Sequence, residues 1–447
     1  MWWRAPWLEQ RRALLSLACL DAVVIVGSYN ILFWWRFERW AGITGAVATL
    51  VTLWVTLSYL LGRYSLGNTN KQFWALGCVA GTVAGITMLA VWLGLARDPR
   101  ALPDFVLPLL AWTATLSALA ERGLEQQTRL QKEWLLVLTL EESKIIQKEL
   151  SGIQRVNGLH VTICTQGEHG DNLLGVKECE TGIALGEQLE LSSHEIQQLL
   201  KDRSHGQKIL SLLDWCERHL QRVPPELLSE KWLLTAEGFQ LRPGEGGWRL
   251  KRMGDLVVAS FLIIFTSPVV IIAALLIKLE DRGPVLYNQV RTGLYGESFR
   301  VWKLRTMHVR AEDGRPQWAG RDDPRITQIG KILRKLRLDE LPQLVNVIKG
   351  DMSLIGPRPE RPEIESRLES EIPHYRVRQW IRPGLSGWAQ VCYPYGASIE
   401  DSRTKLSYDL YYLRNFSLAL DTLILLKTVR LVAKGEGATP RSKETTL

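Results

Sequence analysis

Four apolar runs fill most of the first 120 residues: roughly Ala13 to Trp35, Ile43 to Leu61, Phe73 to Leu95 and Leu102 to Ala120. Each approaches the ~20 residues that a helix needs to cross a bilayer core. In lipid only helices and closed barrels satisfy their own backbone hydrogen bonds. The runs therefore predict four transmembrane helices in residues 1–121. The first is too long for a cleaved signal and lacks a small-residue cleavage site. More than half of the 18 Trp lie before residue 113, many at the ends of these runs, as interfacial belts require.

Arg4, Arg11 and Arg12 precede the first run, Arg63 and Lys71 separate the second from the third, and Arg122, Arg129 and Lys132 follow the fourth. Arg36, Arg39, Arg97 and Arg100 lie in the opposite loops, so the bias is modest. It favours both the N-terminus and everything after residue 121 on the cytoplasmic side of an inner membrane.

At 447 residues the chain is long enough for two or three domains. Its 55 Lys+Arg against 47 Asp+Glu give +8, which suits an anionic membrane face and anionic substrates. Nucleic acid is not expected as a partner, because the basic residues alternate with apolar ones at helical spacing. The six Cys include no CxxC, and Cys19 and Cys78 lie in apolar runs, which argues for a reduced setting. No HExxH or paired metal spacing occurs among the seven His.

From residue 133 to 241 short apolar runs alternate with amphipathic ones. Trp134 to Leu140, Leu159 to Cys164, Gly182 to Leu185 and Lys208 to Leu213 read as strands, with helices near Glu141 to Leu150 and Ser192 to Lys201. That alternation predicts a small Rossmann-like α/β domain. The turn after its first strand, Thr139-Leu140-Glu141-Glu142-Ser143, has no glycine fingerprint to hold a dinucleotide, so a spacer or oligomerisation module is expected.

A linker, Arg242-Pro243-Gly244-Glu245-Gly246-Gly247, leads to a third part, residues 248–434, with a polar tail at 435–447. Leu256 to Ile277 is apolar apart from Ser260, Thr266, Ser267 and Pro268. Pro268 removes one hydrogen bond and obstructs the carbonyl four residues earlier, which bends a helix; the Ser267 hydroxyl can satisfy what is freed. Basic residues flank both ends: Arg249, Lys251 and Arg252 before, Lys278 and Arg282 after. These features leave two readings open: a helix long enough to span the bilayer, or a helix over 255–278 that enters the membrane and turns back at Ser267-Pro268. Short strand-like pieces come next, Gly283 to Tyr287 and Phe299 to Trp302. Tyr408 to Val432 is too interrupted by charge to span a bilayer and reads as an interfacial or core-packing helix.

The chemistry concentrates between Ile329 and Glu360. Ile329, Ile332, Leu333 and Leu336 recur at i, i+3, i+4, i+7, with Lys331, Arg334, Lys335 and Arg337 between them, the pattern of a helix on an anionic membrane surface. The adjacent acids Asp339 and Glu340 follow. Pro342 fits the first turn of a new helix starting near Asp339, whose dipole would favour the ionised acid. Two carboxylates would repel a phosphate unless a hard cation mediates, and Mg²⁺ takes one or two carboxylates plus phosphate oxygens. Lys303, a point charge, and Arg305, a planar fork, both suit phosphate. Pro357 and Pro359 fix the backbone on either side of Arg358, which lowers the entropy lost in aiming it.

These motifs resemble the bacterial sugar transferase family, from Lys251 to about Val432. The resemblance rests on Lys251-Arg252 with Asp255, Gly283-Pro284, Gln289-Val290-Arg291, and Lys303 with Arg305-Thr306-Met307. Asp323-Pro324-Arg325, Leu338-Asp339-Glu340-Leu341-Pro342-Gln343-Leu344 and Gly350-Asp351-Met352-Ser353 continue it. Gly356-Pro357-Arg358-Pro359 and Arg382-Pro383-Gly384-Leu385-Ser386-Gly387-Trp388-Ala389-Gln390 complete it, the last read as a turn and an aromatic platform at Trp388. Where the family often has Asn after the following Val, this chain has Cys392.

The resemblance implies a long-form membrane phosphoglycosyl transferase with a mostly helical catalytic domain and, of the two readings of 255–278, the re-entrant helix. Such an enzyme moves a hexose 1-phosphate from a UDP-sugar to polyprenyl (undecaprenyl) phosphate and initiates exopolysaccharide, capsule or O-antigen assembly. Asp339 is then the nucleophile, Glu340 a second catalytic acid and Mg²⁺ ligand, and Lys303, Arg305, Arg337, Pro357, Arg358 and Pro359 bind substrate. The residues alone leave the two acids free to exchange roles. Membrane lipids and a second copy of the chain, in a dimer, are the further partners implied. A non-catalytic scaffold of a polysaccharide assembly complex is the alternative from another class, and it predicts a damaged acid pair or missing basic motifs.

Overall fold

The computed structural model describes residues 5–9, 11–64, 69–92, 107–128, 132–151, 159–166, 182–236, 238–239, 246–309, 323–393, 396 and 398–433. Arg4, Arg97, Arg100, linker residues 242–245 and the tail at 435–447 lie outside them. The chain divides into two compact units, residues 8–211 and residues 1–7 with 212–447.

In the first unit, helices Arg12–Phe37, Gly45–Leu61, Thr69–Trp92 and Leu107–Thr128 stand where the apolar runs are. Leu14–Phe37 is long and apolar enough to cross a membrane by length and composition, while Gly45–Leu61 and Ala75–Thr87 are shorter apolar stretches. Ile25, Trp54, Leu76, Val79, Val83 and Leu110 form their shared core. A buried carboxylate ties the group together: Asp21 accepts hydrogen bonds from Arg63, Ser117, Trp54 Nε1 (3.3 Å) and Tyr64 Oη (2.6 Å). A buried acid persists only when paired and hydrogen-bonded, and this one draws partners from two helices and the turn at Arg63.

The same unit carries a four-stranded parallel sheet of β1 (Lys132–Leu138), β2 (Leu159–Thr165), β3 (Gly182–Leu185) and β4 (Lys208–Ser211), in the order β2-β1-β3-β4. In a doubly wound sheet a ligand phosphate sits beyond the strand ends where the order reverses, here between β1 and β3. The Glu142 carboxylate fills that position. Its Oε2 accepts from Thr139 N (3.0 Å) and its Oε1 from Glu187 N (2.8 Å) and Gln188 N (3.1 Å). An internal acid thus takes the N–H groups that a pyrophosphate would need, the physical counterpart of the missing glycine fingerprint.

The strand expected over Lys208 to Leu213 ends at Ser211, and Leu212–His219 is a helix that buries Leu212, Leu213, Trp215 and Cys216. This i, i+1, i+3, i+4 face follows the helical period and prevails over the short apolar run. Residues 212–236, grouped by the sequence reading with the middle region, pack on the C-terminal unit. Val223 N donates to Ser407 O (2.9 Å), Trp388 Nε1 to Gln221 O (3.0 Å) and Arg414 to Glu217 (2.8 Å).

The C-terminal unit is mostly helical, with an antiparallel hairpin of β5 (Leu286–Thr292) and β6 (Ser298–Leu304) and a short parallel pair, β7 (Ser353–Ile355) and β8 (Gly384–Ser386). One helix, Gly246–Asp281, is long and apolar enough to cross a membrane. Its 36 residues would measure ~54 Å if straight. At one end Lys251 pairs with Asp421 (2.7 Å), Arg252 donates to Val347 O and Ile348 O, and Asp255 accepts from Ser353 Oγ (2.7 Å). At the other end Ala273 and Ile277 pack with Leu304 and Leu333, and Glu280 accepts from Gln328 N (3.0 Å). Between them Val257, Phe261, Ile264, Phe265, Ile271, Ile272 and Leu275 are exposed. Pro268 lies inside the helix, and Ser267 Oγ donates to Ile264 O (2.9 Å), the carbonyl that Pro268 leaves without its N–H.

Candidate active site

Glu340 is the hub of the site. The approach to it begins at Thr327, whose side chain accepts from Gly330 N (3.0 Å) and caps helix Gln328–Lys335. A Cβ at position 330 would meet the Thr306 backbone, so glycine lets the helix lie against the segment after β6. Arg337 then adopts a left-handed backbone (φ 55°, ψ 23°), uncommon and strained for a non-glycine residue. It turns the chain into a 3₁₀ segment, Leu338–Gln343, with Pro342 inside, followed by the short helix Leu344–Lys349. The expected α-helix beginning near Asp339 is therefore replaced by a tighter turn, and Asp339 gains little from a helix dipole. Sterics at Arg337 and Pro342 explain the change.

Asp339 and Glu340 are each 8% exposed. Asn346 fastens their segment to β6, donating to Arg300 O (2.8 Å) and accepting from Trp302 N (3.3 Å). The next residue, Lys303, thereby reaches the acids. Its Nζ lies 3.1 Å from Glu340 Oε1, Arg358 Nη2 lies 2.6 Å from the same oxygen, and Arg337 Nη1 lies 3.6 Å from Oε2. Among the described residues nothing hydrogen-bonds or ion-pairs to the Asp339 carboxylate.

The two acids consequently differ. Burial pushes Asp339 up to about 6, helped by the neighbouring Glu340 charge and opposed by Lys303, Arg334 and Arg358. Burial acts on Glu340 too, but the charges of Arg358 and Lys303 outweigh it and hold its carboxyl well below the usual range. One acid is locked in an ionic cluster; its neighbour is buried and has no ion-pair partner among the described residues.

Arg358 is aimed by a fixed backbone. Pro357 O accepts from Gly384 N (2.8 Å), Arg358 O from Arg378 Nη2 (2.7 Å), and Pro359 O from Arg291 Nη1 (3.2 Å). Arg378 is held in turn by Asp409 (3.2 Å) and Tyr375 Oη (3.0 Å). Burial raises Asp409 to about 6 against the pull of Arg378.

The structure brings Lys303, Arg337, Arg358, Asp339 and Glu340 together, with Pro357 and Pro359 buried beside them. Arg305 points elsewhere: it pairs with Asp281 at the end of the long helix, and its Nε and Nη1 are buried without a partner. Ser267 and Pro268 lie in the middle of that helix. Trp388 is no exposed platform. It is fully buried, stacked on Tyr411 with centroids 5.9 Å apart and with Lys427 4.4 Å above its ring. Its indole N–H needs an internal acceptor, Gln221 O, which residues near Trp388 do not reveal. Cys392 Sγ lies 3.8 Å from Lys427 Nζ. Arg334 and Arg291 were named only as helix and motif residues, and Arg378 and Asp409 were not singled out beforehand. Asp409 gives no local signal, because its partner lies 31 residues away.

The family described as bacterial sugar transferase matches residues 247–435. Over 189 residues the chain is 48% identical to an Aeromonas hydrophila protein named UDP-N-acetylgalactosamine-undecaprenyl-phosphate N-acetylgalactosaminephosphotransferase, covering 42% of this chain and 45% of that one. A Caulobacter vibrioides UDP-glucose:undecaprenyl-phosphate glucose-1-phosphate transferase is 44% identical over 217 residues, covering 47% of this chain and 79% of that one. An Escherichia coli protein of the same name is 38% identical over 182 residues, 40% of this chain and 39% of that one. The chain thus spans less than half of the Aeromonas and Escherichia relatives.

Proposed function

Because the chain belongs to the bacterial sugar transferase family, we propose that it is a membrane enzyme that transfers a hexose 1-phosphate from a UDP-sugar to polyprenyl (undecaprenyl) phosphate. One observation carries this reading: a buried, unpaired Asp339 beside an acid neutralised by Lys303, Arg337 and Arg358.

An Asp339 oxygen attacks the sugar-linked phosphorus, forming an acyl phosphate bond as the P–O bond to UMP breaks and UMP leaves. An oxygen of polyprenyl phosphate then attacks the same phosphorus, restoring the carboxylate and giving polyprenyl diphosphate-sugar. Dividing one transfer into two makes each step easier. Three cations surrounding two carboxylates leave a net positive site for the diphosphate, and Lys303 and Arg358 can exchange Glu340 for phosphate oxygens.

Among the described residues no group of three His, Cys, Asp or Glu could hold a metal ion. Glu340 would hold a Mg²⁺ together with phosphate oxygens of the donor, since this ion takes one or two carboxylates plus substrate phosphates. When bound, it would neutralise the diphosphate.

Both ends of Gly246–Asp281 rest on one unit while its middle exposes apolar side chains. This supports a re-entrant helix, bent at Ser267-Pro268, that leaves the catalytic unit on the cytoplasmic face. The four N-terminal helices would be the spans, the parallel-sheet region a spacer or assembly module in a dimer, and the reaction the first step of exopolysaccharide, capsule or O-antigen assembly. The relatives' names divide between N-acetylgalactosamine and glucose, so the donor is to be found with a panel of UDP-sugars. UMP release on adding one of them, with covalent label from a phosphate-labelled donor in wild type and none in Asp339→Asn, is the expected result. Label retained in Asp339→Asn would overturn the assignment.

A further inference from the structure

A cavity of about 500 Å³ opens in the C-terminal unit. Thr292, Tyr295, Glu365, Ser366, Gln379 and Trp380 line it, from the β5–β6 turn, helix Pro362–Glu371 and the 3₁₀ segment Tyr375–Trp380. We propose that this cavity holds the nucleoside end of the donor, an assignment that rests on the function proposed above.

The lining excludes an anion. Its one cation among the described residues, Arg376, pairs with Glu369 (2.9 Å), and a second acid, Glu365, is only 4% exposed. Glu365 Oε2 is buried without a hydrogen-bond partner. Two carboxylates against one guanidinium leave the lining acidic, so the cavity suits a neutral ligand that carries hydroxyl or N–H donors. A ribose diol is such a group.

Other walls suit a flat base. Trp380 and Tyr295 present aromatic surface, 39% and 59% exposed. Gln379 Nε2 donates to Glu369 Oε1 (3.1 Å), which leaves its Oε1 to accept from the imide N–H of a uracil. A Cβ at Gly296 would come 3.3 Å from that oxygen, and the chain there has φ +85°, so glycine keeps the acceptor clear. Tyr295 beside it is also left-handed (φ 55°), a strained turn at the cavity's edge.

Position decides between the donor's two ends. Thr292 N donates to Glu360 O (3.0 Å), and Pro362 lines the cavity four residues after Arg358, a span of at most ~14 Å. Ser298, also on the wall, is five residues along β6 from Lys303, ~17 Å in a strand. Asp339 attacks the sugar-linked phosphorus, so the hexose stays next to the acids and the nucleoside, one phosphate further, reaches the cavity.

The test uses the full chain in lipid nanodiscs with Glu365→Gln and, at an exposed helical position in the cavity mouth, Ser366→Phe, each checked by thermal melting. Inhibition by UMP and by hexose 1-phosphate is measured beside the KM for UDP-sugar. KM should rise about tenfold, UMP inhibition should weaken by a similar factor, and the effect on kcat should be smaller. Hexose 1-phosphate inhibition should not change. Unaltered UMP inhibition in both variants overturns the assignment, and so does weakened hexose 1-phosphate inhibition with UMP unaffected. If the wild type releases no UMP, the transfer reading fails instead, and calorimetric binding of UMP to wild type and variants still decides the cavity's role.

Discussion

Replacing Glu340 by Gln removes the one anion that Lys303, Arg337 and Arg358 share while keeping its shape. Breaking a buried ion pair by deleting one partner costs ~3–5 kcal/mol. Arg358 and Arg337 keep 37% and 26% of their side chains in water, so the lower end applies, about 3 kcal/mol. In a unit of this size that is a drop of roughly 6–12 °C in melting temperature. The difference is present above the normal glutamate range and fades in acid, as wild-type Glu340 is protonated well below it.

The catalytic effect follows from the neighbour. With the like charge gone, Asp339 falls from about 6 and becomes a weaker base and nucleophile. If the attack loses about 1.4 kcal/mol, covalent labelling slows about tenfold. The acid limb of the labelling rate, near pH 6 in wild type, moves lower. Melting curves and pulse labelling with a phosphate-labelled UDP-sugar across pH 5–8 measure all three. An unchanged melting temperature together with an unmoved acid limb would refute the claim that Glu340 sets the state of Asp339.

Asp339→Asn should stabilise the inactive protein above pH 6, since it removes an unpaired buried charge. The folded state raises this carboxyl, so the wild-type handicap is absent below about pH 4 and grows as pH rises through 6; melting at pH 4.5 and pH 8 checks the sign. Gly330→Ala forces a Cβ onto the Thr306 backbone and should cost ~1–3 kcal/mol by overpacking, read by thermal unfolding. A cysteine replacing Leu279, 79% exposed, should react with an impermeant maleimide only in inverted vesicles. Labelling from the external face of intact cells would defeat the re-entrant arrangement.

The acids and their cations were legible for different reasons. Asp339, Glu340 and Arg337 are adjacent in sequence, and Arg358 is marked by its flanking prolines. That Lys303 and Arg358 hold Glu340 was not legible, because the contacts close over 37 and 18 residues and no local period encodes such distances. Arg305, two positions beyond Lys303 on the same stretch, looked equivalent by residue type, yet the chain leaves β6 at Leu304 and carries Arg305 to Asp281. Trp388 misled in the same way: an aromatic ring in a turn-rich stretch reads as a surface platform until its hydrogen-bond acceptor, 167 residues away, is known.

The resemblance assigned the nucleophile to Asp339, whereas residue type alone allowed either acid. Environment now favours the same choice on separate grounds. A carboxylate gripped by three cations has its lone pairs engaged and its basicity lowered, which makes Glu340 the poorer nucleophile. Burial without partners leaves Asp339 more basic and free to form a bond. Exchanging the two roles would require Glu340 to shed its cations before every attack, while Asp339 stood unpaired with nothing to do.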